Sequence, residues 1–105
     1  MSVPITVAIV SCSLNTESRS HRLSLAAAES VRAEGATVDL VDLREWKLPI
    51  CDGGNSYRHR SVEPLSEMFN RASAILVSAP VYNYDLNAAA KNIVEMTGQS
   101  WTDKP

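Results

Sequence analysis

Long apolar runs, glycine and cysteine are all scarce in this chain. Among its 105 residues no apolar stretch approaches the roughly 18 needed to cross a bilayer, which argues against a membrane-spanning helix. No Lys or Arg precedes the first apolar run, so the N-terminus makes a poor secretory leader. Two cysteines, Cys12 and Cys51, give no disulfide framework, and reduced thiols in a cytoplasmic protein are expected. Ten Lys and Arg stand against twelve Asp and Glu, a net charge of −2 with no basic block, which argues against nucleic acid. Neither histidine has a His or Cys partner at ligand spacing, so no metal site is expected; His21 reads as a solvated first-turn residue and His59 as part of a surface loop. With four glycines, the chain has neither G-x-G-x-x-G nor the Walker pattern, so the two common glycine-built phosphate cradles are absent.

What is present is ordinary for one globular domain: 45% hydrophobic and 21% charged residues. Residues 5–10, ITVAIV, form a continuous β-branched run of the kind buried on both faces of a parallel sheet. From Ser20 to about Glu34 the period becomes helical, with Leu23, Ala26, Ala27 and Val31 as the apolar face and Gly35 just beyond the end. Residues 37–41 read as a second strand and 42–61 as irregular. Residues 62–72 return to helical spacing, with Pro64 in the first turn. Residues 74–80, AILVSAP, read as a third strand, and 87–97 as a helix stopped by Gly98, with Lys91 and Glu95 as a surface pair. Alternating strands and helices imply parallel strands with right-handed crossovers. In a 2-1-3 order the binding crevice lies beyond the carboxyl ends of strands 1 and 3, between the loops 11–19 and 80–86.

The first of those loops, SCSLNTESRS, is built of hydroxyls. It leads into a helix N-terminus, where free amides and the helix dipole favour an anion. Ser11, Ser13, Thr16, Ser18 and Ser20 are donors without bulk, and Arg19 adds a charge-assisted contact. One hydroxyl would suffice for a helix cap; five favour a phosphate site. An alternative is a cysteine phosphatase built on Cys12, in which the loop amides and an arginine clamp the phosphate while a thiolate attacks it. That chemistry uses C-x5-R, whereas Arg19 follows Cys12 at C-x6-R. On the other loop, Pro80 bends the chain across the crevice, and Tyr82, Asn83 and Tyr84 offer backbone groups and an aromatic wall for a flat heterocycle.

Together, SCSLNTESRS-HRL and APVYNYDLNAAAKN resemble the NAD(P)H-dependent FMN reductase family, whose loops read G-S-x-R-x-x-S-x-S/N-x-x-L and P-x-Y-N-x-S-x-P-G-x-L-K-N. Ser13, Ser18, Ser20, Leu23, Pro80, Tyr82, Asn83, Lys91 and Asn92 match. Cys12 replaces a usual glycine and Asn15 a usual arginine, and Asp85, Asn87 and Ala88 also depart. The LREWKLPICDG segment, 43–53, is similar to the family's loop after strand 2, where Trp46 is a candidate interface or core residue, as is Trp101. The resemblance implies a flavodoxin-like doubly wound parallel sheet. It places the FMN phosphate on Ser11, Ser13, Ser18, Arg19 and Ser20, and the isoalloxazine beside Pro80, Val81, Tyr82 and Asn83. A nicotinamide, NADH or NADPH, would reduce FMN, which passes electrons to a flavin, quinone or similar small acceptor, with no obligatory side-chain acid or base. Homo-oligomers are common in the family. Its members continue with strands 4 and 5, so residues 1–105 are expected to be the N-terminal part of one FMN-binding domain, with strand 3 left as an apolar edge. A truncated domain that holds no flavin is the remaining alternative.

Overall fold

The computed structural model describes residues 4–105; the N-terminal leader reading rests partly on residues 1–3, outside that range. Three strands, β1 (Thr6–Ser11), β2 (Thr37–Asp42) and β3 (Ala74–Ser78), form a parallel sheet in the order β2-β1-β3. β1 is central, pairing Val10 with Val41 on one side and with Val77 on the other. This matches the sheet order and the strand positions expected from the β-branched runs.

Three helices complete the β-α units: α1 (Arg19–Ala33), α2 (Val62–Arg71) and α3 (Ala88–Thr97). Side chains alternate across β1, so Ala8, Val10 and Cys12 share one face. They join Val41, Leu43, Leu65, Phe69, Ala72, Ala90 and Ile93 in a buried cluster under α2 and α3. α1 supplies no side chain to that cluster and covers the opposite face, as a right-handed crossover from β1 to β2 requires. Both tryptophans pack at the cluster's margin. Trp101 stacks on Phe69 at 5.1 Å between ring centroids, and its indole N–H donates to Thr97 Oγ1.

The apolar face expected on α1 is rotated. Ser24 and Ala28 are its buried residues, Ala27 and Val31 are half-buried, Ala26 is exposed, and Leu23 is 64% exposed. At roughly 100° per residue, Ser20, His21, Ser24, Ala27, Ala28 and Val31 fall within about 60° of one line, and Leu23 lies about 100° from it. The line falls on Ser24 and runs between Ser20 and His21, the two first-turn residues hydrogen-bonded to the sheet, so the buried side of the helix is the side that carries the polar ties rather than Leu23. Two further differences are local. Residues 81–86 form a hairpin of β4 (Val81–Tyr82) and β5 (Asp85–Leu86), and Lys91 pairs with Asp85 at 2.8 Å rather than with Glu95. Gly98 ends α3 but opens a single 3-10 turn, Gly98–Trp101.

β3 is an edge strand, and the Ile75 N–H donates to the Pro105 carbonyl at 2.9 Å, so the last described residue lies beside it. Phe69 is fully buried between the sheet cluster and Trp101. Phe69→Ala is therefore expected to cost about 3–5 kcal/mol in a urea unfolding experiment. A loss under about 1 kcal/mol would contradict the packing described.

Candidate functional site

The hydroxyl-rich loop lies at the carboxyl ends of β1 and β3, and its first duty is structural. Ser18 is the N-cap of α1: its Oγ accepts the His21 N–H at 3.1 Å, and it lies 2.9 Å from Ser20 Oγ. Ser13 Oγ accepts the Asn15 N–H, and Asn15 Oδ1 accepts the Glu17 N–H, which together curl the loop without glycine. The Arg22 N–H goes to the Ser18 carbonyl and the His21 N–H to the cap. The Arg19 and Ser20 amides precede the first intrahelical bond and point out of the helix end.

The first turn of α1 is tied to every strand of the sheet. Ser78 Oγ at the end of β3 donates to the Ser20 carbonyl at 2.6 Å. Ser11 Oγ at the end of β1 lies 2.7 Å from His21 Nδ1, and Asp42 Oδ2 at the end of β2 lies 4.0 Å from His21 Nε2. Arg44 grips Asp42 through Nε and Nη2 at 2.8–3.2 Å. That hydrogen-bonded guanidinium holds the Asp42 carboxyl below the usual carboxylate range, against a smaller opposing effect of burial.

The second wall is tied to the first. Asn87 caps α3 by accepting the Ala90 N–H on Oδ1, while its Nδ2 donates to the Cys12 carbonyl at 2.8 Å. Between Pro80 and that cap the hairpin turns at Asn83 and Tyr84, with φ of 51° and 67°. Two successive positive φ values define the tight turn that matches strand twist, and Asn is well suited to them. Tyr84 at the tip is fully exposed, and Asp85 is braced by Lys91.

The two walls enclose a cavity of about 410 Å³ lined by Ser13, Asn15, Glu17, Ser18, Arg19, Ser20, Pro80 and Tyr82. Six of the nine residues expected at the site from sequence thus converge: Ser13, Ser18, Arg19, Ser20, Pro80 and Tyr82. Ser11 is fully buried with its hydroxyl on His21, and Val81 and Asn83 lie on the hairpin without lining the cavity. Glu17 brings a carboxylate, which Arg19 offsets. The hydroxyls, the outward amides and one guanidinium form a donor set suited to a phosphate, so the residues present fit the phosphate group of FMN. A larger cleft of about 750 Å³ between α2 and α3, with Ser66, Asn70 and Gln99, lies away from the strand ends and carries no cation.

Cys12 faces the core on the α2–α3 side and is fully buried. Burial pushes its thiol up to about 12. A phosphatase nucleophile needs the opposite, an accessible thiolate at neutral pH. Among the described residues no cluster of three or more His, Cys, Asp or Glu could hold a metal, and no helix is long and apolar enough to cross a membrane.

A 2-1-3 parallel sheet with a hydroxyl-lined cavity beyond the carboxyl ends of β1 and β3 is a flavodoxin-like doubly wound arrangement. Residues 5–105 match the family NADPH-dependent FMN reductase, and the chain belongs to that family. Solved structures share the fold. FerB, a flavoenzyme NAD(P)H:(acceptor) oxidoreductase from Paracoccus denitrificans, is 25% identical with a TM-score of 0.77 over 96% of this chain and 57% of its own. An NAD(P)H:quinone oxidoreductase from Methanothermobacter marburgensis is 18% identical with a TM-score of 0.73, over 90% and 56%. Smu.1420 from Streptococcus mutans UA159 is 15% identical with a TM-score of 0.66, over 89% and 53%. The chain thus spans a little over half the length of these structures. No curated protein matches it.

Two outcomes follow from the geometry. In the folded protein Cys51, part-exposed, should react with a disulfide reagent while Cys12 stays protected; rapid labelling of Cys12 at neutral pH would contradict its burial. Asn87→Asp keeps a good helix cap but removes the donor to the Cys12 carbonyl. It should cost about 1–3 kcal/mol in thermal or urea unfolding, and a neutral effect would mean that the tie between the walls contributes nothing.

Proposed function

We propose that this chain forms the phosphate half of an FMN site in an NAD(P)H-dependent oxidoreductase that passes electrons to a small acceptor such as a quinone or flavin. The observation that carries this reading is the single cavity that gathers Ser13, Ser18, Arg19 and Ser20 with Pro80 and Tyr82 at the carboxyl ends of β1 and β3. Family membership and the oxidoreductase names of two structural neighbours support it.

When bound, FMN supplies the redox chemistry, accepting hydride from a nicotinamide and delivering electrons onward. The chain's own residues bind and orient. Ser13, Ser18 and Ser20 donate hydroxyl hydrogen bonds to the phosphate, the Arg19 and Ser20 amides add the field of the helix end, and Arg19 contributes full charge. Pro80 and Tyr82 form the adjacent wall, against which the flavin ring would lie, with Val81 and Asn83 beside it on the hairpin. Ser11 acts from behind the loop, through His21. Assembly as a homo-oligomer follows from the family resemblance, and a cytoplasmic setting from the two cysteines without a disulfide framework.

The phosphatase alternative is disfavoured by the buried Cys12 thiol and the C-x6-R spacing. A truncated domain that holds no flavin is separated from the main reading by binding. Ser18→Ala combined with Ser20→Ala should weaken FMN by about 1–3 kcal/mol in a fluorescence titration, because each lost donor leaves a charged acceptor less satisfied. Riboflavin, which lacks the phosphate, should lose little. Unchanged FMN affinity, or equal losses for both ligands, would contradict the assignment.

A further inference from the structure

His21 joins the carboxyl ends of two strands. Its Nδ1 lies 2.7 Å from Ser11 Oγ on β1, and its Nε2 lies 4.0 Å from Asp42 Oδ2 on β2. Hydroxyl, imidazole and carboxylate follow in the order of a nucleophile triad. Ser11 is fully buried, however, so no substrate reaches its oxygen, and the cluster acts on structure and charge instead. The backbone of the same histidine donates to Ser18 Oγ, the cap hydroxyl that lines the cavity. One residue therefore connects the sheet, the helix end and the anion cradle.

We propose that His21 is a positioning residue of the cradle and that its ring gains a proton when a phosphate-bearing ligand binds. The inference rests on the FMN reading above. With an ionised Asp42 opposite Nε2, the neutral ring carries its proton on Nε2 and leaves Nδ1 to accept the Ser11 hydroxyl. A second ring proton in the empty site places positive charge at a helix N-terminus, where the dipole opposes it. A phosphate in the cradle reverses that balance.

The groups in contact with the ring come from two strands: β2 presents Asp42, with Arg44 bound to it, and β1 presents Ser11, while Ser78 of β3 is bonded to the neighbouring Ser20 carbonyl. On its own segment, Arg19 and Arg22 flank His21 and Glu17 precedes the helix. Asp42 attracts positive charge at Nε2, Arg44 weakens that attraction, and the helix end opposes it, so a phosphate in the cradle adds to the favourable side. By linkage, affinity for the phosphate rises as pH falls through the ring's titration, at most about tenfold per pH unit. The second ionisation of the ligand's phosphate, near about pH 6, acts in the opposite sense. Comparison with a variant lacking the imidazole removes that contribution.

The test is a fluorescence titration of FMN and riboflavin against the full chain and His21→Gln, at about pH 8 and about pH 5.5. The ratio of wild-type to variant affinity for FMN should grow about threefold or more from high to low pH, while the riboflavin ratio stays constant. In parallel, long-range 1H–15N spectra of the wild type, with two histidines to assign, should show neutral His21 protonated at Nε2. Added FMN should move the ring toward the imidazolium form at constant pH. These spectra decide the matter if His21→Gln fails to fold. A pH-independent ratio, or a ring that ignores bound FMN, overturns this proposal and leaves the FMN reading standing. A neutral ring protonated at Nδ1 also overturns it. Absence of FMN binding overturns both.

Discussion

The first turn of α1 is held to the end of every strand in the sheet, and the site depends on that attachment. The Ser20 carbonyl receives the Ser78 hydroxyl from β3, and the His21 ring meets Ser11 on β1 and Asp42 on β2. The two hydrogen bonds, from Ser78 and at Ser11, contribute only about 1 kcal/mol each, and Asp42 at 4.0 Å acts through charge alone. Their larger effect is geometric, because together they set both the rotation and the position of the helix. A helix end that floats would present its amides and dipole to water in many orientations. Fixed against the strand ends, it places Arg19 and Ser20, whose amides precede the first intrahelical bond, in the lining of one cavity. In this orientation Leu23 is exposed, while Ser24 and Ala28 are buried.

The opposite wall follows the same logic with one side chain. Asn87 caps α3 and donates to the Cys12 carbonyl, across 75 residues of sequence. The hydroxyl-rich loop and the helix that follows the hairpin are therefore set relative to each other by a buried amide. In the family pattern, proline and glycine stand where this chain has Asn87 and Ala88. An asparagine here supplies both a helix cap and a crosslink, two functions that proline cannot perform through its side chain.

Sheet order, strand positions and helix positions were legible because β-branched runs and helical periodicity report burial directly. The cavity was legible to the extent that it is built from local sequence: Ser13, Ser18, Arg19 and Ser20 are contiguous with one cap, and Pro80 and Tyr82 with one strand end. What escaped detection depends on pairings distant in sequence. His21 read as a solvated first-turn residue because nothing near it indicates that Ser11 and Asp42 converge on its ring. Lys91 was assigned to Glu95 by helical spacing, while the hairpin brings Asp85 closer. The hairpin itself carries an Asn-Tyr turn in place of the usual Asn-Gly, so its two positive φ values leave little trace in sequence.

The central claim is that the serine-rich turn and the end of α1 receive a flavin phosphate. Amide 1H–15N spectra of the chain recorded during addition of FMN test it most directly. The account predicts that the largest shifts fall on Ser13, Arg19 and Ser20, with smaller ones at Tyr82 and Asn83. Shifts confined to the cleft of Ser66, Asn70 and Gln99, or none at any FMN concentration, would contradict it.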